Sequence, residues 1–413
     1  MIECPVIYTH LGGRSFMRKI VLLSVVTATL MAAGYKIPES SVNAVSLSNA
    51  YVANAHGADA SYYNPANMAF SDAKSSDMEV DLTFIGLSKV DYKGTTYATG
   101  YGNIPTDTSS KAEGFIVPTL FYASPAVDKF RFGLAVVSPA GLSKKWADTP
   151  ASLYAKEFTL QTIEVNPTIS YKINDQVAVA FGLRGIHSYG VVKNAKYEMD
   201  GSGLDWGYNL AFTYKPMKDT NVALTYRSNI DLHVKGNASK VMNGLGTYTT
   251  SDVKVSLPVP AAMNLAISHT YNNATTVEFV FERNMWSSYK NLDFNFDDTA
   301  AEAVSGGVIS KNWKDSNAYR LGLTHKYNKI TAMAGIAYDE TPVPNETINY
   351  ENPDSNGKIV SLGGRYEISP NMSVGLAGLV SFKDNRSVNN SILNGTFSNS
   401  RAYLLSTGLE YKF

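Results

Sequence analysis

The chain has 413 residues with 36 Lys+Arg against 36 Asp+Glu, so it carries no net charge and lacks the basic excess of a nucleic-acid binder. Charged residues make up 17%, below the usual share of about a quarter. The 26 Tyr, 17 Phe and 31 Gly suit many short strands joined by turns.

Met17-Arg18-Lys19 precedes an apolar run at 20–30 and the small residues Ala32-Ala33-Gly34. This is the pattern of a secretory signal peptide, and the run falls short of the about 20 residues a spanning helix needs. Met17 is the expected true start, 1–16 an upstream extension, and the cut falls near Ala33. The only cysteine, Cys4, lies before that cut, so the mature chain is expected to carry no thiol, disulfide or lipid anchor. Next comes "GADASYYNPANMAF" (57–70), which fits neither a helical nor a strand period. It reads as a compact plug within a unit at 34–76.

From residue 77 to 413 the pattern is strand after strand. "QVAVAFGLRG" (176–185), "AYRLGLTHKY" (318–327) and "MSVGLAGLVSF" (372–382) each set large apolar residues on one face and small, polar or basic ones on the other. A soluble sandwich alternates too, but these runs of ten or more residues match a tilted strand crossing a bilayer. Aromatics such as Tyr208, Phe212, Tyr214 and Tyr366 recur toward strand ends, where interfacial girdles lie. Short connections near 124–129, 173–176, 215–219, 271–274, 327–329 and 369–371 alternate with long ones near 91–112, 139–158, 190–204, 232–252, 287–316, 339–357 and 383–400. The reading is all-β: a 14-stranded antiparallel transmembrane barrel with an N-terminal plug, in the outer membrane of a Gram-negative bacterium.

The ending "RAYLLSTGLEYKF" puts Tyr403, Leu405, Leu409, Tyr411 and Phe413 on one phase. A terminal aromatic strand like this is the mark by which barrel-insertion machinery recognises its clients. The other expected partners are outer-membrane lipid, lipopolysaccharide and a hydrophobic small molecule, with no cofactor, metal or nucleic acid. Each internal proline predicts a bulge or break, because a closed barrel has no edge to hide one. Pro118, Pro139, Pro167, Pro258 and Pro260 are the candidates, most of them expected at strand ends in loops.

The chain resembles the outer-membrane long-chain fatty-acid transporter family (FadL type), which includes channels for toluene and other hydrocarbons. The resemblance rests on "GYKIPESSVNAVSLSNAYVANAHGADASYYNPANMAF", "SPAGLSKKW", "EVNPTISYKI", "LTYRSNIDLHVKG", "FERNMWSSYKNLDF", "NWKDSNAYRLGLTHKY" and "GIAYDETPVPNETINYENPD", in the family's order across 33–413. It implies a hatch inside the barrel, a kinked third strand that opens a lateral window, and a monomer. Carried over, Asn64, Pro65 and Ala66 are the hatch motif beside the kink, and Ser138, Pro139, Ala140 and Gly141 are the kink. Pro and Ala in the middle of that segment depart from the family's pattern. Asn64 is then suited to satisfy backbone groups freed by the broken strand; otherwise Asn-Pro merely starts a turn.

The implied function is passive uptake of hydrophobic compounds: long-chain fatty acids, aromatic hydrocarbons or detergents. The loop "GLSKKWADTPASLY" offers Leu142, Trp146 and Leu153 as an apolar landing patch, with Lys144 and Lys145 for a carboxylate; an ordinary amphipathic loop would look the same. Arg184, Arg227, Arg320 and Arg365 face the lumen, either to hold a carboxylate or to brace the plug through acidic partners. No catalytic constellation stands out: His187, His269 and His325 fall on the lipid-facing phase, and His56 lies in the plug. "GSGLDWG" is a turn without the strand–turn–helix setting of a phosphate loop. Two alternatives stand beside the channel: a general porin for polar solutes, and a structural or adhesive surface barrel working through its long loops.

Overall fold

Period-two alternation over more than ten strands leaves a chain with a greasy outer face and a polar inner one, and closing the sheet on itself removes every edge. The computed structural model describes residues 34–72, 74–242 and 248–413; the expected leader, the Met17 start and Cys4 lie outside them. Nineteen hydrogen-bonded pieces form one sheet. Ten of them are the halves of five interrupted strands, so the wall has fourteen antiparallel strands. The first, Asp77–Leu87, pairs with the last, Arg401–Lys412, from Asp77↔Lys412 to Leu87↔Ala402, and the ring is closed.

The predicted faces hold. Phe181, Leu183, Leu321, Leu323, Leu376, Tyr411 and Phe413 are exposed on the outside, while Arg184, Arg320 and Arg365 are buried inside. All six short turns fall where expected. Asp128, Asn272, Asn273 and Asn328 take up the left-handed φ values of 50–55° that these turns require, a conformation short polar side chains tolerate.

The long connections differ from expectation. Strands five and six (Val177–Lys193 and Tyr197–Met217) run through the 190–204 region as one projecting hairpin. Their inward phase stays apolar there: Val192, Tyr197 and Met199 pack with Val234 and Val241, so the ladder continues past the membrane. Two other segments read as loops fold into a separate sheet above the barrel, in the order Arg386–Asn389, Leu393–Ser398, Asp91–Ala98, Gly102–Ser109. The prolines also sit inside strands rather than in loops. Pro139 and Pro260 separate strand halves, and Asn166 Nδ2 reaches Leu183 O at 2.6 Å beside Pro167, where the ladder is interrupted.

Residues 34–68 lie almost wholly buried within the ring. Ser41 accepts a hydrogen bond from Ala44 N at 3.2 Å, capping the short helix Val42–Ser46. Asp59 then gathers Ser41 Oγ (2.8 Å), Asn43 Nδ2 (2.9 Å) and Tyr51 OH (3.0 Å). The wall grips this plug by its backbone. Glu278 accepts from Val52 N and Ala53 N at 2.6 Å and Asn54 N at 3.1 Å, and Arg131 donates to Met68 O, Asp72 O and Ser75 O. At Gly335 a Cβ would stand 2.1 Å from the carbonyl carbon of Leu47. Gly335→Val is therefore expected to destabilise the folded protein by about 1–3 kcal/mol through overpacking, read from its urea midpoint in detergent. An unchanged midpoint would mean the plug yields without cost.

Candidate functional site

The third strand is broken. Its lower piece, Phe130–Val137, and upper piece, Gly141–Lys144, pair with strand four (Glu157–Lys172) in registers one residue apart, Val137↔Glu164 and Gly141↔Gln161. Pro139 supplies no donor and the slip is absorbed over Ser138–Ala140, as in a bulge. The alternating burial of the wall stops here: every residue from Ser138 to Lys144 is buried, because the strand has turned into the lumen. On its other side the lower piece pairs with strand two (Glu113–Ala123) only from Leu120↔Val136 to Ala123↔Gly133. Among the described residues, 113–119 of strand two has no ladder partner facing strand three. Pro118 stands on this free stretch.

The groups freed at the break are satisfied from two directions. Ser138 Oγ donates to Thr162 O at 2.8 Å, Ala140 N donates to Thr162 Oγ1 at 3.2 Å, and that hydroxyl donates to Ala140 O. The start of the plug supplies the rest. Ile37 N donates to Pro139 O at 2.9 Å, Gly141 N donates to Tyr35 O at 2.8 Å, and Lys36 is the antiparallel bridge partner of Ala140. Tyr35–Ile37 thus acts as a short extra strand that seals the gap. It is anchored in turn: the Tyr35 ring meets Trp286 edge-on at 4.7 Å, and Lys36 Nζ lies 2.6 Å from Glu282 Oε1 and from Asn284 Oδ1. A cavity of about 60 Å³ lies between the break and the plug, touched by Ile37, Tyr62, Pro139, Arg227 and Glu282.

The hatch motif borders the same cavity through Pro65, but its hydrogen bonds go to the plug and to strand six rather than to the broken backbone. Asn64 Nδ2 donates to Val52 O (2.9 Å), Asn67 Oδ1 (3.1 Å) and Thr213 Oγ1 (2.9 Å), and Pro65 opens the 3-10 turn Pro65–Phe70. Ala66 packs against Ala178, Ala180 and Ala211 on strands five and six. The motif ties the plug to that part of the wall, and the broken backbone is met by Thr162 and Tyr35–Ile37 instead. Neither carried a signal: Thr162 is one inward threonine among several, and Tyr35–Ile37 stood in a quoted stretch without a role.

The expected landing patch is also corrected. Leu142 and Trp146 are 3% and 1% exposed, and Lys144 is 2% exposed; Leu153 is half-buried. Trp146 donates from Nε1 to Tyr350 O at 2.9 Å and meets the Tyr350 ring at 4.9 Å, with Tyr92 and Phe397 of the outer sheet packed beside them. Burial pushes the Tyr350 phenol up, so it stays neutral. These residues form the roof of an apolar cluster that fills the outer half of the barrel, including Leu160, Leu232, Phe294 and Trp313. Within it a cavity of about 20 Å³ is walled by Phe158, Leu160, Met199, Val255 and Phe294. Lys145 is the half-buried member of the pair, 3.4 Å from Glu113 and 3.3 Å from Glu157. Burial opposes its charge, but the two carboxylates hold its ammonium above the ordinary lysine value.

The four lumenal arginines are engaged by protein carboxylates and by the plug. Arg184 and Arg227 share Glu164, and Arg227 also donates to Tyr62 O and lies 4.1 Å over the Tyr62 ring. Arg320 donates to Ser48 O and stands 3.1 Å from Asp339; Arg365 donates to Asn43 Oδ1 at 2.7 Å and pairs with Glu79. Bracing is their observed use.

A plugged barrel with a break in its wall, sealed from inside and roofed by apolar side chains, defines an outer-membrane transport barrel. The chain belongs to the outer membrane protein transport protein family (OMPP1/FadL/TodX), whose pattern it matches over residues 23–413. It is 24% identical to the long-chain fatty acid transport protein of Escherichia coli K12 over 379 residues, 76% of this chain and 81% of the relative. Its fold is that of a Pseudomonas aeruginosa FadL homologue (TM-score 0.78, 20% identity, 92% of this chain and 99% of that one). The P. putida toluene transporter TodX superposes with a TM-score of 0.69 at 16% identity, covering 91% and 99%.

Proposed function

We propose that this protein takes hydrophobic compounds from the cell exterior into the outer membrane, passing them through the apolar outer half of the barrel and sideways at the break in the third strand. Residues 34–76 act as hatch and 77–413 as wall, after a leader cut near Ala33. The observation that carries this reading is the seal: Tyr35–Ile37 closes the gap with two backbone hydrogen bonds, few enough to be exchanged when a ligand displaces the segment. A tail of about fifteen methylenes favours hydrocarbon over water by about 12 kcal/mol, so a route that never exposes it to water needs no energy source. The apolar cavity of about 20 Å³ is far smaller than such a tail, and loading requires the packing to open.

Capture begins where the roof meets solvent, around Lys145 and Leu153, and the hatch motif Asn64-Pro65-Ala66 acts as an anchor about which the Tyr35 end moves. The histidines serve the wall in this reading: His269 and His325 bond to Thr220 and Thr275, and His233 to Asp205. The relatives bear names for fatty-acid and for toluene transport, so both classes enter the test. Cells lacking their own channel and expressing this one should take up labelled oleate, labelled toluene or both above background. Uptake of neither would sink the reading and move a surface-protein role ahead.

A further inference from the structure

The outward face of the wall changes character at the outer ends of strands fourteen, one and two. Register sets its residues in rows. Leu405, Phe84 and Ile116 form an exposed apolar row, and Tyr403, Gly86 and Gly114 form the next one outward. Beyond that come Arg401 and Ser88, joined by Arg401 N to Ser88 Oγ at 2.8 Å and Ser88 N to Arg401 O at 3.0 Å. Lys89 and Lys111 follow at the rim, both exposed. Among the described residues, none of these three cations has an ion-pair partner, because the carboxylates around them are already committed. Asp91 accepts from Ser109 Oγ and Asn399 Nδ2 at 2.6 Å each, Glu113 from Ser143 Oγ at 2.7 Å, and Asp384 stands 2.7 Å from Lys358. Arg401 has only the Phe382 ring, 5.8 Å away.

Three spare cations on three neighbouring strands span about 10 Å at the usual strand spacing. Beneath them the wall is notched. Gly86 and Gly114 face each other without side chains, and a Cβ on either would stand 3.4 or 3.3 Å from the Phe84 ring beside them. The notch opens onto the stretch of strand two that lacks a ladder partner toward the break. In a bilayer the apolar rows are covered by acyl chains, so the group that meets the cations is the head of the same molecule. A single phosphate balanced by an amine leaves most of this charge unanswered. We propose that Arg401, Lys89 and Lys111 bind lipopolysaccharide in the outer leaflet, whose anchor is an acylated sugar pair with a phosphate at each end. One phosphate meets Arg401 and the other meets Lys89 and Lys111, while an acyl chain enters the notch at Gly86 and Gly114 and runs along Phe84 and Leu405. The bound lipid covers the free edge of strand two from outside. This site lies on the lipid face and does not depend on the transport reading.

The test uses the protein stripped of native lipid in nonionic detergent. Binding of labelled lipid A is compared with that of lipid A from which both phosphates have been removed. At about fivefold per cation near a charged lipid headgroup, the wild type should prefer the phosphorylated form by about tenfold or more. The triple variant Arg401→Gln, Lys89→Gln, Lys111→Gln should bring that ratio near one. Lys235→Gln, which removes an exposed lysine on strand seven across the ring, should leave it unchanged. Gly86→Leu fills the notch without touching a charge, and should weaken both lipids alike. Equal binding of the two lipids by the wild type would overturn the proposal, and this arm needs no variant to fold. A preference that survives in the triple variant would overturn it too. So would full displacement of lipid A by millimolar inorganic phosphate, which would mark a bare anion site instead of a lipid one.

Discussion

Oxidising a Lys36→Cys, Ala140→Cys variant is expected to bring uptake down to near background, and adding a reductant to restore it. The two positions are antiparallel bridge partners. Cα atoms of such pairs are about 4.5–5.5 Å apart, within the about 4.4–6.8 Å that a disulfide spans. The bond would fasten Tyr35–Ile37 across the break, where it already makes its two backbone hydrogen bonds, and convert an exchangeable seal into a permanent one. Cys4, the native cysteine, lies before the expected cut and would not compete. Losing the Lys36 ammonium removes one partner of Glu282, which keeps Arg320 at 3.8 Å, so the single Lys36→Cys variant is the proper reference. Uptake indifferent to oxidation would show that cargo leaves by another route.

The second large effect concerns stability. Glu164 on strand four is fully buried and accepts from Arg184 Nε at 3.2 Å, from Arg184 Nη2 at 2.9 Å and from Arg227 Nη2. Glu164→Ala leaves two guanidinium groups in the lumen with their shared counter-ion gone, and breaking buried pairs from one side costs about 3–5 kcal/mol. The urea midpoint should fall accordingly. Glu164→Gln, which keeps one acceptor oxygen but loses the charge and turns the other oxygen into a donor, should lie between. A loss below about 1 kcal/mol would place this cluster in the range of solvated surface pairs, meaning that water reaches it freely. Arg227 is the strut from this cluster to the hatch, through Tyr62 O and the Tyr62 ring, so the alanine variant also loosens the plug beside the break.

Much of the architecture could be read directly. Alternation in 176–185, 318–327 and 372–382 separates a lipid face from a lumenal face because the side-chain period of a strand is two, and the structure keeps each of those phases. Turn positions followed from where that alternation lapsed into Asn, Asp and Pro. Outside the bilayer the same rule misled. The hairpin through 190–204 and the strands at 91–98 and 386–389 have polar outer faces in water and so read as loops, although their inward residues carry the pattern on.

Legibility was lower at the site. Pro139 was one of five internal prolines expected to bulge or break a strand, and the resemblance to the family, not the chain alone, put the kink at Ser138–Gly141. The break's partners were invisible: Lys36 and Ala140 are more than a hundred residues apart, and nothing local in "GYKIP" or around Thr162 announces pairing with it. The roles of Leu142, Lys144 and Trp146 were misplaced for a similar reason. An apolar and basic stretch read as an exposed loop, but the inward turn at Pro139 carries the following residues into the lumen.

The sequence by itself determined the class of structure: an exported, neutral, aromatic-rich chain whose period-two pattern can satisfy its backbone in a bilayer only by closing into a barrel. Only the tertiary structure decided how the opening is kept shut and which charges are spare. Arg184, Arg227, Arg320 and Arg365 share their inward phase with many polar residues, and whether each meets a carboxylate depends on strands and plug segments brought together by closure of the ring. Pairing across a barrel lumen is a property of register and of the hatch's path, and neither is encoded within any one stretch of residues.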